Sequence, residues 1–406
     1  MPGYGSRYWA ERTAAARRPS FPKYRGDAEV DAVVIGGGLT GLTTAYVMAK
    51  AGLDVVLLES ARLADGGTSA GAGIIVPEPD ARFKSVESAT GLRVARTAWK
   101  ETHRSALDMA AALGKLSAHC DLDHAPFIVN ARSGDAAIQL KKEQAARKDA
   151  GLDAAAMTAR AAAVELGAAS AGALRSRDGF VVDPVRCALA FARAATDAGA
   201  RMFERSEVRK TRFTRKSAEV LLASGRLRTR HIVVATGGPG RLFGQLRRHV
   251  RELDGFAVVT EPLGAPMLRA SGTHAHVVNE FDEGRWLRWL PDHRAFFTGT
   301  AARPVPMRQR DKAIVASSGQ LMYELSVRYP AISGLPARWG WHVPLVTTMD
   351  GLPWIGSHRN YPFHFFAMAF GWHGDSLAWL SAKASLRQFK GETRREDEAF
   401  SFARHV

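Results

Sequence analysis

Three glycines and one carboxylate carry the clearest chemical signal in this 406-residue chain. Gly36, Gly38 and Gly41 stand in a G-x-G-x-x-G spacing, with Leu39 and Thr40 before the third, and Glu59 follows 23 positions after Gly36. Each residue suits one part of a dinucleotide. Gly36 turns the chain off a strand. Gly38 has no side chain, so a pyrophosphate can approach the backbone. Gly41 lets a helix pack closely on that strand. The helix N-terminus then offers N–H groups and a positive dipole end to the phosphates. A carboxylate at Glu59 accepts the ribose hydroxyls of an adenosine and repels a 2′-phosphate.

The elements that must position these residues surround them. Val30–Ile35 reads as a strand, the run to Lys50 as an amphipathic helix, and Asp54–Leu58 as a second strand. An ordinary buried βαβ unit with a glycine turn is the plainer reading. The acid at Glu59 and the helical pattern after the turn favour the nucleotide. A redox cofactor held there would supply the reactive atom, and the protein would aim it.

Composition bounds the rest. Hydrophobic residues are 46% and charged residues 24% of the chain, the balance of a globular protein, and the length predicts two or three domains. No run approaches the roughly 18–20 apolar residues of a membrane span. The polar N-terminus lacks the apolar core of a secretory signal. Two cysteines, Cys120 and Cys187, predict a reducing cytoplasmic setting, with neither a disulfide framework nor a metal site. Net charge is +16, and residues 201–251 hold 14 Lys or Arg against three acids. A solvated, arginine-rich β-meander is one reading of that segment. A patch for an anionic partner such as tRNA, an acidic protein or a lipid surface is the other. Zinc ligands, an aromatic RNA-binding motif and a GxxG clamp are all missing, so nucleic acid gains no support from motifs.

Residues 88–118 predict a helix and 135–170 two Ala-rich helices, the stretch Ala154–Ala163 being helix rather than linker. Asp183-Pro184 opens a helix over Val185–Ala198. Short strands follow at Ala200–Phe203, Val208–Phe213, Ser217–Leu222 and Ile232–Ala235. More lie at Phe256–Thr260, His276–Asn279, Arg285–Leu290 and Ala295–Thr298, the last two joined by Pro291-Asp292-His293. A helix over 311–328 comes next. Then Phe363–Phe370 reads as a strand, Gly371-Trp372-His373-Gly374 as a turn, and Ser376–Phe389 as a helix. A nucleotide-binding start, a β-rich middle and a glycine-plus-helix end imply a discontinuous cofactor domain with an inserted antiparallel-sheet domain.

With these pieces in order, the chain resembles the D-amino-acid oxidase, glycine oxidase and sarcosine oxidase family of FAD-dependent oxidoreductases. The resemblance rests on Tyr8-Trp9, Asp31–Gly41, the loop Gly66–Ile74, Asp183-Pro184, Gly199-Ala200 and Ile232–Gly237. It continues through Thr260-Glu261-Pro262-Leu263, which is similar to the gamma-glutamylputrescine oxidoreductases, then Asp350–Gly356 and Gly371–Gly374. It implies an α/β fold: a discontinuous Rossmann-like FAD-binding domain with an inserted substrate domain of antiparallel sheet and helices. The expected division is an arm over 1–29, FAD-binding segments 30–90, 172–247 and 342–395, substrate-binding segments 91–171 and 248–341, and a tail over 396–406.

The same resemblance implies the site. Gly36, Gly38, Leu39, Thr40 and Gly41 would hold the pyrophosphate, and Glu59 with Ser60 the adenosine ribose. Gly67, Thr68 and Ser69 would face the phosphate or ribityl chain, and Gly71, Gly73 and Ile74 the isoalloxazine. Val208 would hold the adenine through its backbone, and Ala235, Thr236, Gly237 and Gly356 would line the cofactor. Gly371, Trp372, His373, Gly374, Asp375 and Ser376 would bring a helix N-terminus to the flavin N1–C2=O edge, where a positive dipole end stabilises the reduced, anionic ring. Val343 stands where covalent members carry a cysteine, so FAD is expected to be non-covalent. Phe297 stands where sarcosine oxidases carry a lysine that helps dioxygen, which leaves oxidase and dehydrogenase both open.

Catalytic candidates are His373 as a flavin-edge group, Arg288 as a carboxylate anchor and Trp289 as an aromatic wall for an amine. Each has a plainer alternative: a helix-cap histidine, an exposed strand arginine and a core tryptophan. Trp341 and His342 are further cavity candidates. The partners implied are a small amine or amino acid and dioxygen or another electron acceptor. A tRNA-modifying oxidase domain and a flavin-binding protein without turnover remain as other readings.

Overall fold

The computed structural model describes residues 3–13, 18–272, 277–281, 284–301 and 303–404. His276, placed in a strand from the sequence, lies outside the described residues. In chain order the elements used below are β1 (Gly26–Ile35), α1 (Leu39–Lys50), β2 (Val55–Leu58), α2 (Leu92–Lys115), β3 (Phe127–Ala131), β4 (Gly172–Ser176), α3 (Pro184–Asp197), β5 (Arg201–Phe203), β6 (Val208–Phe213), β7 (Ala218–Leu222) and β8 (Gly225–Gly237). They continue with β9 (Arg251–Thr260), β10 (Val277–Glu280), β11 (Arg285–Trp289), β12 (Ala295–Thr300), α4 (Arg310–Arg328), β13 (Ala337–Thr347), β14 (Trp354–His358), β15 (Tyr361–Met368) and α5 (Gly374–Lys390).

The chain divides into two compact units: residues 1–12, 123–181 and 253–345 form one, and residues 13–122, 182–252 and 346–406 the other. The second unit carries the glycine turn. Its sheet runs β5-β2-β1-β8-β7-β6, with β15 added parallel to the second half of β8 and β14 antiparallel to β15. β1, β2 and the second half of β8 are parallel neighbours, and Val33, Val34, Val56, Leu57, Val233 and Val234 are all fully buried. Parallel strands covered on both faces read as unbroken apolar runs, which is the pattern of Val30–Ile35. Helix α1 is buried nearly all round between α3 and α5. Asp183 caps α3 with Oδ1 accepting from Val185 and Arg186 N–H at 3.0 Å each, ahead of a proline that cannot donate. The helix expected over 88–118 is two, Phe83–Thr90 and α2, because Gly91 takes φ +85° between them. Helix α2 packs on α5 inside this unit, whereas the sequence placed residues 91–122 with the substrate segments.

The first unit is built on a sheet ordered Gly3–Tyr4, β13, β9, β12, β11, β10, β3, β4 and Ala155–Met157. The Ala-rich stretch after residue 135 holds helices Gly134–Asp149 and Ala159–Leu166 with the strand Ala155–Met157 between them. One sheet face buries Ile128, Leu287, Trp289 and Phe297 against Leu321 and Leu325 of α4. The other face bears Trp286, Arg288 and Phe296, since β11 and β12 pair Leu287 with Phe297 and Arg288 with Phe296. Part of the expected N-terminal arm is woven in: Gly3 and Tyr4 pair with β13, Trp9 is fully buried, and residues 26–29 begin β1.

Two buried histidines make the second unit acid-sensitive. His231 on β8 bonds Ser385 Oγ and His364 on β15 bonds Thr211 Oγ1, both at 3.1 Å, and burial pushes each imidazole down to about 4. The folded state holds both rings neutral, while the unfolded chain protonates them near 6.5. Stability is therefore intact above pH 6.5 and lost as pH falls through 4, by up to roughly 3 kcal/mol per histidine. We expect thermal melts to show that loss over this window. His364→Gln should flatten part of it, and an unchanged pH profile would count against the assignment.

Candidate active site

The glycine turn closes at the end of β1. Gly36 takes φ +109°, donates to Leu58 O at 2.9 Å, and would place a Cβ 2.5 Å from Ala235 O on β8. A Cβ on Gly41 would stand 1.9 Å from Gly36 O. Neither position admits a side chain. Gly38 is different: it N-caps α1 in an extended conformation, and a Cβ there would first meet Thr68 Oγ1 at 3.2 Å. The helix start is thus open to a ligand rather than filled by its own cap.

Glu59 stands beside that turn. Its Oε2 accepts from Gly37 N–H at 2.7 Å, and Oε1 accepts from Ala61 N–H at 2.8 Å and Ser60 Oγ at 3.1 Å. Three donors fix the carboxylate plane and leave capacity among its roughly four acceptor positions for a ribose hydroxyl. Thr68 Oγ1 accepts from Leu39 N–H at 2.9 Å, which brings the loop after β2 onto the first residue of α1. Thr40 follows Leu39 in this first turn, and its carbonyl accepts from Thr44 Oγ1 at 2.7 Å. Added Cβ atoms at Gly66, Gly67 and Gly237 meet nothing within 4 Å, so space remains beside the turn. Thr236 Oγ1 donates to Gly238 O at 2.7 Å, and Gly237, at φ +78°, accepts from Ala369 N–H at 3.0 Å. Val208 is buried at the start of β6, just before a bulge, and Ser206 N–H binds Glu59 O at 2.8 Å, so this strand and Glu59 share one corner. The cradle and its donors fit the dinucleotide part of FAD.

The turn before α5 is docked on a segment that the sequence reading passed over. Trp372 N–H donates to Asp80 Oδ2 at 2.7 Å, His373 Nδ1 donates to Glu78 O at 2.8 Å, and Val76 N–H donates to Ser376 Oγ at 2.8 Å. His373 Nε2 lies 3.5 Å from Asp80 Oδ1. Gly371 takes φ +60°, and a Cβ there would stand 2.1 Å from Asp80 Oδ2. Burial raises the Asp80 carboxyl above the usual range, while His373 and the Trp372 N–H pull it back. The segment reads Val76-Pro77-Glu78-Pro79-Asp80, and its two prolines flanking an acid were the available signal. Gly71 ends the short helix Gly67–Ala70, Gly73 O accepts from Val182 N–H at 2.9 Å, and Ile74 is buried, so the loop passes from the glycine turn to this docking segment. Gly374 and Asp375 form the first residues of α5, with Asp375 as the acid in its first turn.

The remaining expected residues take the following places. Ser69 Oγ donates to Asp65 O and Gly66 O at 3.0 and 3.2 Å, so it fastens its own turn. Ser376 is fully buried and bridges Val76 N–H to α2, whose Ser105 Oγ donates to Ser376 O at 2.7 Å. Gly356 lies within β14 against Ser401, on a strand joined to β1 through β15 and β8. Trp289 packs on Tyr329 in the α4-covered core, its ring centroid 5.4 Å away, on the opposite face from Arg288. Phe297 lies on that same core face. Arg288 is buried with its guanidinium 5.0 Å over the Trp9 ring, and is not an exposed strand arginine. Trp341 is buried against Phe296, and His342 Nε2 bonds Asp254 at 2.5 Å. The basic run is partly neutralised by β1: Arg226 pairs with Asp27 at 3.0 Å and Arg230 with Asp31 at 2.7 Å, while Arg228 lies in register with Glu29 and Glu219.

A family model described as DAO, FAD dependent oxidoreductase, matches residues 31–386. The chain belongs to this family. Gamma-glutamylputrescine oxidoreductase of Escherichia coli is 22% identical over 405 residues, covering 98% of this chain and 92% of the relative. The glycine oxidase structure from Geobacillus kaustophilus superposes with TM-score 0.72 at 21% identity, covering 93% of this chain and 99% of that one. The L-proline dehydrogenase structure from P. horikoshii gives 0.73 at 19% identity, covering 95% and 98%. As a member of the family the protein is an FAD-dependent oxidoreductase of mixed α/β fold. Where a cysteine would attach FAD, Val343 is a buried strand residue, and Cys120 and Cys187 are both buried. Among the described residues no helix is long and apolar enough to cross a membrane, and no group of three His, Cys, Asp or Glu could hold a metal ion.

Two substitutions separate the halves of this site. Glu59→Ala should lower FAD occupancy of the purified protein without lowering the melting temperature of the apoprotein; full occupancy would refute the role. Gly371→Ala forces both left-handed backbone and a clash with Asp80, and should destabilise the fold by roughly 1–3 kcal/mol in denaturant titration. An unchanged midpoint would contradict the docking described.

Proposed function

We propose that the protein oxidises the C–N bond of a small amine or amino acid, yielding an imine that water hydrolyses. The observation that supports this reading most is the glycine cradle at Gly36–Gly41 with Glu59, in a chain matched to its family over residues 31–386. Relatives named for gamma-glutamylputrescine, glycine and L-proline point to amine-bearing substrates. FAD, when bound, supplies the hydride acceptor at flavin N5 and the route of electrons to dioxygen or another acceptor.

The chain's own residues supply orientation and charge. Gly38, Thr68 and the first turn of α1 hold the phosphates, and Glu59 the ribose. The α5 N-terminus, fixed by Asp80, Glu78 and Val76, presents positive dipole to a developing anion. His373 Nδ1–H donates to the Glu78 carbonyl and its Nε2 lies 3.5 Å from Asp80 Oδ1, which orients the ring at the start of α5. Arg288 is assigned to an anionic end of the substrate. Its guanidinium lies 5.0 Å over the Trp9 ring, and the planar fork of an arginine suits a carboxylate. Lys312, the one lysine between residues 250 and 340, is exposed on α4, so no lysine of that stretch extends from the sheet to assist dioxygen. That favours an acceptor other than dioxygen for fast turnover.

The test is anaerobic mixing of the FAD-loaded protein with a panel of primary and secondary amines and amino acids. The expected result is loss of the yellow flavin absorbance with at least one of them, followed by slow recovery in air. Absence of bleaching across the panel, with dithionite still able to bleach the flavin, would overturn the reading.

A further inference from the structure

The cations of residues 201–251 fall into two groups. Arg201, Arg226 and Arg230 are matched by Asp54, Asp27 and Asp31 at 2.7, 3.0 and 2.7 Å. The hairpin of β6 and β7 has no such match. Arg209, Lys210, Arg212, Arg215 and Lys216 are all exposed, and among the described residues none of them forms an ion pair. Glu219 is in register with Arg212 on one side, but it also stands opposite Arg228 on the other. The hairpin is the end of its sheet, because β6 pairs with β7 alone.

Phe213 ends β6 among these cations and is 44% exposed. One side of its ring rests on Phe363 and His364, with centroids 6.3 and 6.1 Å away. That contact brings in a second segment, the start of β15, where Pro362 is exposed and Phe363 half-buried. The turn before β15 carries the exposed Arg359. A third segment adds the exposed Arg248, next to His249, whose ring packs 5.6 Å from His358. Burial and then the charges of His249, Arg248 and Arg359 hold the His358 imidazole below its usual range, so both arginines surround one side chain. Three segments of the second unit thus set cations around a small apolar patch. Charge on an edge strand alone serves to block strand pairing. Cations on turns of two other segments, and an exposed phenylalanine, do not serve that end.

We propose that this margin of the second unit is a docking surface for the anionic face of a lipid bilayer. Charge complementarity sets the sign of the partner. The apolar patch selects among anionic partners. Single-stranded nucleic acid stacks its bases on aromatic rings along a basic groove. Phe213 instead has its ring against Phe363, at the exposed end of a hairpin. A phenylalanine flanked by Arg212, Arg215 and Lys216 suits the head-group layer, the ring entering the acyl boundary and the cations meeting phosphates. The contact is peripheral and reversible, since it rests on surface charge and one ring.

The experiment is co-sedimentation of the FAD-loaded protein with phosphatidylcholine vesicles, with and without about one-third phosphatidylserine, at low and high salt. Binding is expected to the anionic vesicles alone, falling steeply as salt rises. Arg212→Ser, Arg215→Ser and Lys216→Ser combined should weaken it roughly a hundredfold, at about fivefold per cation. Phe213→Ser should weaken it at unchanged charge. A variant of equal net charge in the first unit, Arg160→Ser with Arg308→Ser and Lys312→Ser, all exposed, should bind nearly as the native protein does. Flavin spectra and melting temperatures should be native in each variant. Failure to bind anionic vesicles at low salt would overturn the proposal. So would binding that the hairpin variant weakens no more than the first-unit variant. Hairpin-dependent binding of single-stranded RNA, with none to vesicles, would also overturn it and assign the surface to nucleic acid.

Discussion

The candidate site depends on one docking event, the seating of the turn Gly371–Ser376 on the bent segment Val76–Asp80. Three short hydrogen bonds join residues nearly 300 positions apart in the chain: Asp80 with the Trp372 N–H, the Glu78 carbonyl with His373, and Val76 N–H with Ser376 Oγ. All are buried or partly buried, where losing a partner costs most. They fix where α5 begins. Through Ser105, which bonds both Ser376 O and Leu380 N–H, they also fix α5 against α2. Helix α5 in turn packs on α1, the helix that follows the glycine turn. The N-termini of α1 and α5 are thus linked by one polar clamp and the helix packing around it.

The glycine turn obeys a different constraint, backbone touching backbone. Gly36 approaches Ala235 O and Gly41 approaches Gly36 O so closely that any Cβ would collide. That is why the glycine spacing could be read without a structure: it encodes a contact that only one residue type permits. Glu59 was equally legible, because its distance from Gly36 is the length of one βαβ crossing. The apolar runs of β1, β2 and β8 were legible too, since strands buried on both faces have no polar alternation to blur them.

What escaped the sequence did so for physical reasons. Glu78 and Asp80 act through proximity to a turn far along the chain, and nothing local marks an acid as a docking group. Ser69 and Ser376 lie within the cofactor motifs but turn their hydroxyls to backbone partners, which side-chain type alone does not reveal. Trp289 and Arg288 are neighbours on one strand, so they belong to opposite faces, and only the position of α4 decides which face is core. The arginines of residues 226–230 looked like a patch because a linear count does not include β1, whose Asp27 and Asp31 are their partners.

The most direct test of this account is hydrogen–deuterium exchange of the apoprotein against the FAD-loaded protein. The account predicts that FAD slows exchange together at residues 36–41, 59–68 and 371–376, with little change across 210–230. Protection at the glycine turn without any at 371–376 would contradict the claim that the docked turn and the dinucleotide cradle form one cofactor site.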